Sequence, residues 1–305
     1  MTNAILVNAA TRTDPSRPDT PHEPTSSAIG VLRELWHSRD LLLQFALRDL
    51  TIRYVQAMMG FAWALLMPLL IVGAGVIFRI VVSSLSGQGL GGSGIASLAV
   101  KALPWAFFSG AISLSTQSII AHANLIGKIY FAREALPIAS VMAQAVDLLL
   151  GIVIVLILLP FFGVHMGLNA LWAFPLLAAL MLFTIGCALI LSCANLFYRD
   201  VKYLVQVVLN FGIFATPVFF EPQMLGEKGA KIMMALPMSP FIEAFDLAVV
   251  RNENLLQVVM ASTPKGDVQV WAPWMMAYMA ALSIGVLWVG LRIFRGASSK
   301  FAEMA

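Results

Sequence analysis

The sequence predicts an all-α, polytopic membrane fold. It has six transmembrane helices, an N-terminal amphipathic interfacial helix, and short re-entrant helices between spans five and six. Composition, the lengths of the apolar runs and the placement of Lys and Arg predict it together. Of 305 residues, 60% are hydrophobic and 11% charged, where soluble domains carry roughly a quarter charged residues. A water-soluble fold of this size needs more polar surface than that. The net charge of +3 leaves no nucleic-acid footprint.

Residues 1–30 are rich in Pro, Ser and Thr and lack an apolar core of signal-peptide length. They read as a disordered tail that stays on the side of synthesis. Residues 31–305 form the membrane domain. Within 31–60, Leu43, Leu47, Leu50 and Tyr54 share one helical face, Gln44, Arg48 and Arg53 occupy another, and Asp49 stands four residues before Arg53. A basic amphipathic helix beside a span lies in the membrane interface; the simpler alternative is a charged anchor.

A bilayer core takes about 20 apolar residues per helix. Six segments qualify: 61–83, 103–121, 138–163, 169–197, about 203–220, and 271–294. Trp63, Trp105, Trp172, Trp271 and Trp274 stand near span starts and Trp288 near the end of the last, the depth amphipathic rings prefer. Pro68 kinks the first span. Gly73, Ala74 and Gly75 let another helix approach it closely. Between spans five and six, the apolar stretches 232–237 and 241–250 are too short to cross a bilayer and suit re-entrant or interfacial helices.

With the N-terminus inside, 13 Lys and Arg fall on the inner side and 6 on the outer. Four of those six (Lys228, Lys231, Arg251 and Lys265) lie in the one long outer segment; the others are Arg79 and Lys101. The positive-inside rule therefore puts both termini in the cytoplasm, and residues 124–137, NLIGKIYFAREALP, form a cytoplasmic loop.

Catalytic chemistry is absent. There is no GxxxxGK[ST] phosphate loop, no HExxH and no GxSxG. His22, His37, His122 and His165 are scattered without ligand spacing, and Cys187 and Cys193 fit no metal or redox motif. No catalytic residue, metal site or cofactor is expected on this chain. Asp147 sits inside the third span, where a charge costs roughly 2.5–3.5 kcal/mol on insertion scales; hydrogen bonding to a neighbouring span and a role in transport both account for it. Glu243 and Asp246, three residues apart, share a helical face that meets either a polar substrate or water.

Four segments in order resemble the membrane subunits of ABC-2 type exporters, in the branch that exports O-antigen and related cell-surface polysaccharides. They are RDLTIRYVQAMMGFAWALLMPLL (48–70), NLIGKIYFAREALPIASV (124–141), NLFYRDVKYLVQVVLNFGIFATPVFF (195–220) and LPMSPFIEAF (236–245). The resemblance runs from about residue 31 to the C-terminus. Gly127 stands where relatives often carry Lys, Ala132 where they often carry Pro, and Met67 where Asn commonly precedes the Pro.

The resemblance implies that residues 124–137 form a cytoplasmic coupling helix docking into a separate ATPase subunit, two copies of which bind ATP and Mg. Its contacts are Asn124, Ile126, Lys128, Ile129, Tyr130, Phe131, Arg133 and Glu134. Apolar knobs with a charged rim are what a small interface needs. It implies an inner-membrane homodimer moving a lipid-linked polysaccharide; export of a drug or small lipid is the alternative, and a non-transport membrane scaffold a third reading. Arg48, Arg53 and Tyr54 would meet the substrate at the inner entrance, where a carrier pyrophosphate finds Arg. Trp63, Phe107, Phe108, Phe211, Phe214, Phe219 and Phe220 would line the conduit, since aromatic faces cover sugar rings without fixing a sequence.

Overall fold

The computed structural model describes residues 39–54, 92–123, 132–263 and 266–298, with scattered residues between 66 and 84. The tail 1–30, most of the first expected span with Trp63, and coupling residues 124–131 lie outside the described residues.

The described chain is mostly helical. Helix α1 spans Arg39–Tyr54, α2 Gly92–Ala121, α3 Ala135–Leu158, α4 Ala173–Phe197 and α5 Val201–Ala215. Two short helices follow, α6 at Gly226–Ala235 and α7 at Ser239–Val249. A hairpin of β1 (Val259–Thr263) and β2 (Gly266–Trp271) precedes α8 at Trp274–Ser298. Four helical stretches are long and apolar enough to cross a bilayer: Ser93–Ala121, Ala135–Phe162, Leu168–Phe197 and Trp274–Ala297. They answer to the second, third, fourth and sixth expected spans. The α3 stretch ends in a 3-10 turn, Leu159–Phe162, which Gly163 stops with φ 73°, a left-handed conformation that glycine adopts at no steric cost.

Helix α2 packs between α3 and α4, and α4 lies along α8. The α4–α8 crossing is close because two glycines meet there. A Cβ on Gly186 would stand 2.6 Å from the Leu287 backbone nitrogen, and one on Gly290 2.6 Å from the Gly186 carbonyl oxygen. Small residues permit such backbone approach between membrane helices. About two turns along, Ser283 donates to the Ala179 carbonyl at 2.9 Å. Phe108, Phe183 and Phe241 stack in succession, with ring centroids 5.7 and 5.6 Å apart, and join α2, α4 and α7 in one core.

Four sequence expectations change. The fold is not purely helical, because residues 259–271 form an antiparallel hairpin. Its cause is a period-two pattern in which Val268 and Val270 point inward, with Gly266 at φ 119° at the start of β2. Trp271 ends that hairpin instead of opening a span; it is fully buried and its Nε1 donates to the Leu255 carbonyl at 2.9 Å. Second, α2 starts eleven residues before the expected 103, so Lys101 lies inside a helix and not in an outer loop; partners described below make that burial tolerable. Third, α5 has 15 residues, about 22 Å of helix, and the chain leaves helical geometry at Thr216, ahead of Pro217. Alone it is shorter than a bilayer core. Fourth, α1 turns Leu42, Ala46 and part of Leu50 against α3, while Leu43 and Leu47 face outward.

The segments Pro222–Ala235 and Ser239–Val249 pass the length and apolarity test together but are bent by 111°. Pro240 opens α7 in the first turn, where its missing N–H costs nothing.

Candidate functional site

Three polar places stand out in this apolar chain. The first is buried at the α2–α7 contact. Lys101 Nζ lies 2.8 Å from Glu243 Oε2 and 3.5 Å from Asp246 Oδ2. Arg251 Nε lies 2.9 Å from the same Asp246 oxygen, and its Nη2 lies 3.8 Å from both Glu243 and Glu221. Lys101, Glu243 and Asp246 are at most 1% exposed. Burial disfavours the charged Arg251 guanidinium, but Asp246, Glu243 and Glu221 more than offset that and hold its pKa above the ordinary arginine value. The expected solvated or substrate-facing role for Glu243 and Asp246 is therefore replaced: both are enclosed ion-pair partners. The three-residue spacing was the right signal for a shared face, but it does not say what the face meets.

The second place is the end of the bundle where α1, the start of α3 and the end of α8 meet. Ser140 Oγ donates to Asp49 Oδ2 at 3.2 Å, tying α1 to α3. Phe45 of α1 packs edge-on against His122 at 5.9 Å, and His122 Nδ1 is 2.8 Å from the Ser118 carbonyl. Glu134 Oε1 lies 3.6 Å from Arg295 Nε, with both side chains largely buried, so the segment leading into α3 is held to the last turn of α8. Arg133 is half-buried and Arg48 exposed. The side chains of Arg53 and Tyr54, like residues 124–131, lie outside the described set.

The third place is the exposed face of α5 beside α2. Asn195, fully buried at the end of α4, fixes its position: its Nδ2 donates to the Thr116 carbonyl at 2.9 Å, and its Oδ1 accepts the Lys202 backbone N–H at 3.2 Å. Further along, a Cβ on Gly212 would stand 2.7 Å from the Trp105 ring, so α5 lies flat on that indole. Across the gap Ser113 Oγ donates to Gln206 Oε1 at 3.4 Å, Gln206 Nε2 donates to Asn210 Oδ1 at 3.0 Å, and Gln117 Nε2 donates to the Ser113 carbonyl at 3.4 Å.

The six expected conduit aromatics that lie among the described residues are dispersed. Phe211 and Phe214 stand on the exposed α5 face. Phe219, largely buried, supports Phe214 with ring centroids 5.4 Å apart, and Phe220 is half-buried. Phe107 is packed in the core, where its apolar ring is buried by the α2 contacts, and Phe108 belongs to the core stack. Sequence reasoning passed over Gln117, Gln206 and Asn210. The signal was available: Tyr203, Gln206, Asn210 and Phe214 fall at spacings of three, four and four, one stripe of a helix.

No protein-family model matches the chain. Among curated proteins, it is 28% identical over 216 residues to an O-antigen export system permease protein RfbA of Klebsiella pneumoniae, covering 70% of this chain and 82% of that protein. A second Klebsiella pneumoniae protein of the same description is 29% identical over 206 residues, 67% of this chain and 77% of its own length. The Myxococcus xanthus O-antigen export system permease protein RfbA is 26% identical over 279 residues, 90% of this chain and 99% of that protein. With several membrane-length apolar helices among the described residues, the chain is similar to O-antigen export system permeases along most of its length.

Proposed function

We propose that this chain is the membrane-spanning subunit of an ATP-driven exporter that carries a lipid-linked, O-antigen-type glycan across the bacterial inner membrane. The observation that carries this reading is the similarity to O-antigen export permeases over 67% to 90% of the chain. None of those relatives favours a drug or small-lipid cargo.

The work is done on a partner. ATP and Mg bind two copies of a separate ATPase subunit, which holds residues 124–137 from the cytoplasm, both termini lying on that side. Tyr130 and Phe131 supply the apolar anchors, and Asn124, Ile126, Lys128, Ile129, Arg133 and Glu134 the surround. The Glu134–Arg295 pair and the Ser140–Asp49 hydrogen bond give that segment mechanical connections to α8 and α1. A push on the loop therefore moves three helices together. Arg48, exposed on α1, with Arg53 and Tyr54, receives the carrier pyrophosphate at the inner entrance.

One copy encloses too little space for a polymer, so two copies pair about a two-fold axis. The exposed apolar side chains of α5, among them Leu204, Val207, Val208 and Phe211, suit a face that meets a second copy and the conduit rather than water. Trp63, Phe214, Phe219 and Phe220 border that passage, with Phe107 and Phe108 behind it. The bent pair of helices α6 and α7 forms a re-entrant outer rim.

Deleting the chain from its bacterium should remove the glycan from the cell surface and leave lipid-linked glycan inside; restoring the chain should reverse both. Unchanged surface glycan in the deletion strain would overturn the reading.

A further inference from the structure

The α2–α5 strip combines two properties that do not belong together in a lipid-facing helix. Tyr203, Gln206, Asn210 and Phe214 are all exposed and all lie on one stripe of α5. Aromatic rings end the stripe and carboxamides form its middle. Gln117 of α2, also exposed, donates to the Ser113 carbonyl of its own helix, and Ser113 Oγ crosses the helix gap to Gln206.

These amides are underused. Each carboxamide carries two N–H donors. Gln206 and Gln117 each spend one on a neighbour, and Asn210 spends neither on any described residue. Free donors in hydrocarbon are expensive, and polar groups inside membrane segments face an interior or a water-filled cavity. The inward-turned α5 residues tell the same story by contrast: Leu209 is buried and Gly212 is pressed on Trp105. The outward side of α5 thus carries the amides of Gln206 and Asn210 beside exposed apolar residues such as Leu204, Val207 and Val208.

Aromatic faces flanking unspent amide donors match one chemical class. A neutral glycan offers apolar ring faces to stack on Tyr203 and Phe214, and hydroxyl oxygens to accept from Gln206, Asn210 and Gln117. Neither carboxylate nor ammonium belongs to the stripe, so the contacts stay weak and a chain can step along it. Lys202 lies over the Tyr203 ring at 4.8 Å, which marks the end of the strip where charge resumes.

We propose that Tyr203, Gln206, Asn210 and Phe214 of α5, with Gln117 of α2, form a glycan-contacting strip that binds uncharged sugar units by stacking and amide hydrogen bonds as they leave the inner mouth. The assignment rests on the proposed export function. Ser113 orients Gln206 rather than touching sugar.

The test uses the full chain with its ATPase in membranes, with Cys187 and Cys193 replaced by Ala. Asn210→Cys stands nine residues in from the start of α5, and Val289→Cys stands nine residues before the end of α8, on an exposed face at the same end of the bundle. A membrane-impermeant maleimide should label Asn210→Cys about tenfold faster than Val289→Cys, because thiolate forms only where water reaches, and maltoheptaose should slow the first reaction alone. Equal rates, or no effect of maltoheptaose, overturn the strip. In cells, Gln206→Leu with Asn210→Leu should lower surface glycan about tenfold, the worth of two ordinary hydrogen bonds, while Gln206→Asn should retain most of it. If deleting the chain abolishes export but the double Leu variant exports normally, only the strip fails; if deletion itself changes nothing, the proposed function fails.

Discussion

The buried cluster at the α2–α7 contact and the stripe on α5 handle polarity in opposite ways. Lys101, Glu243 and Asp246 carry full charges and meet no solvent; each has an ion partner within 3.5 Å. Gln206 and Asn210 carry only dipoles, yet they are exposed and keep donors unspent. Enclosed, paired charge holds two helices in register and has nothing left to offer a ligand. Exposed dipoles with donors unspent cost less but persist only where something other than lipid meets them. On the proposed reading, the stronger charge is the structural one and the weaker polarity the functional one.

Substitutions can break that contrast. The largest effect is expected for Lys101→Met, which leaves Glu243 and Asp246 in a dry site with Arg251 alone. Losing one partner of a buried ionic group costs about 3–5 kcal/mol, so thermal unfolding in detergent should show a large drop. A stability close to wild type would mean that water already reaches the cluster. Next comes Gly186→Val, whose side chain would collide with the Leu287 backbone; overpacking costs about 1–3 kcal/mol, visible in the same melt. Asn195→Leu should follow closely, since it strands the Thr116 carbonyl and the Lys202 N–H, at about 1–3 kcal/mol. It sharpens the comparison because it also frees α5 from α2, so export should fall more than stability explains. Glu134→Gln should change stability less than these, by about 1 kcal/mol, because glutamine keeps a carbonyl acceptor facing Arg295. It should still raise the ATP hydrolysed per glycan exported, because the segment loses its tie to Arg295.

Much of the frame was legible because apolar run length is a direct consequence of bilayer thickness. Residues 138–163 and 169–197 come within three residues of the structural stretches Ala135–Phe162 and Leu168–Phe197. Lys101 shows where that logic stops. A lysine near a span end looks like a loop residue until its carboxylate partners are known, and those lie more than 140 residues later in the chain. Trp271 misled for a related reason: an indole fits a membrane boundary as well as a buried hairpin, and the hydrogen bond to Leu255 decides between them. The α5 stripe was concealed by reading aromatics and amides separately; only their shared face joins them. Helix α1 was expected to be amphipathic with Leu43 and Leu47 on its apolar face; instead Leu42 and Ala46 turn inward and Leu43 and Leu47 outward, a division that appears only once α3 is in place.

The central claim is that energy enters this membrane body through residues 124–137. The most direct measurement reconstitutes the chain with its ATPase in sealed vesicles and follows ATP-dependent transfer of lipid-linked glycan, for wild type and for Tyr130→Ala with Phe131→Ala. Wild type should transport, and the double variant should lose both complex formation and transport. A variant that assembles and transports at the wild-type rate would contradict the account.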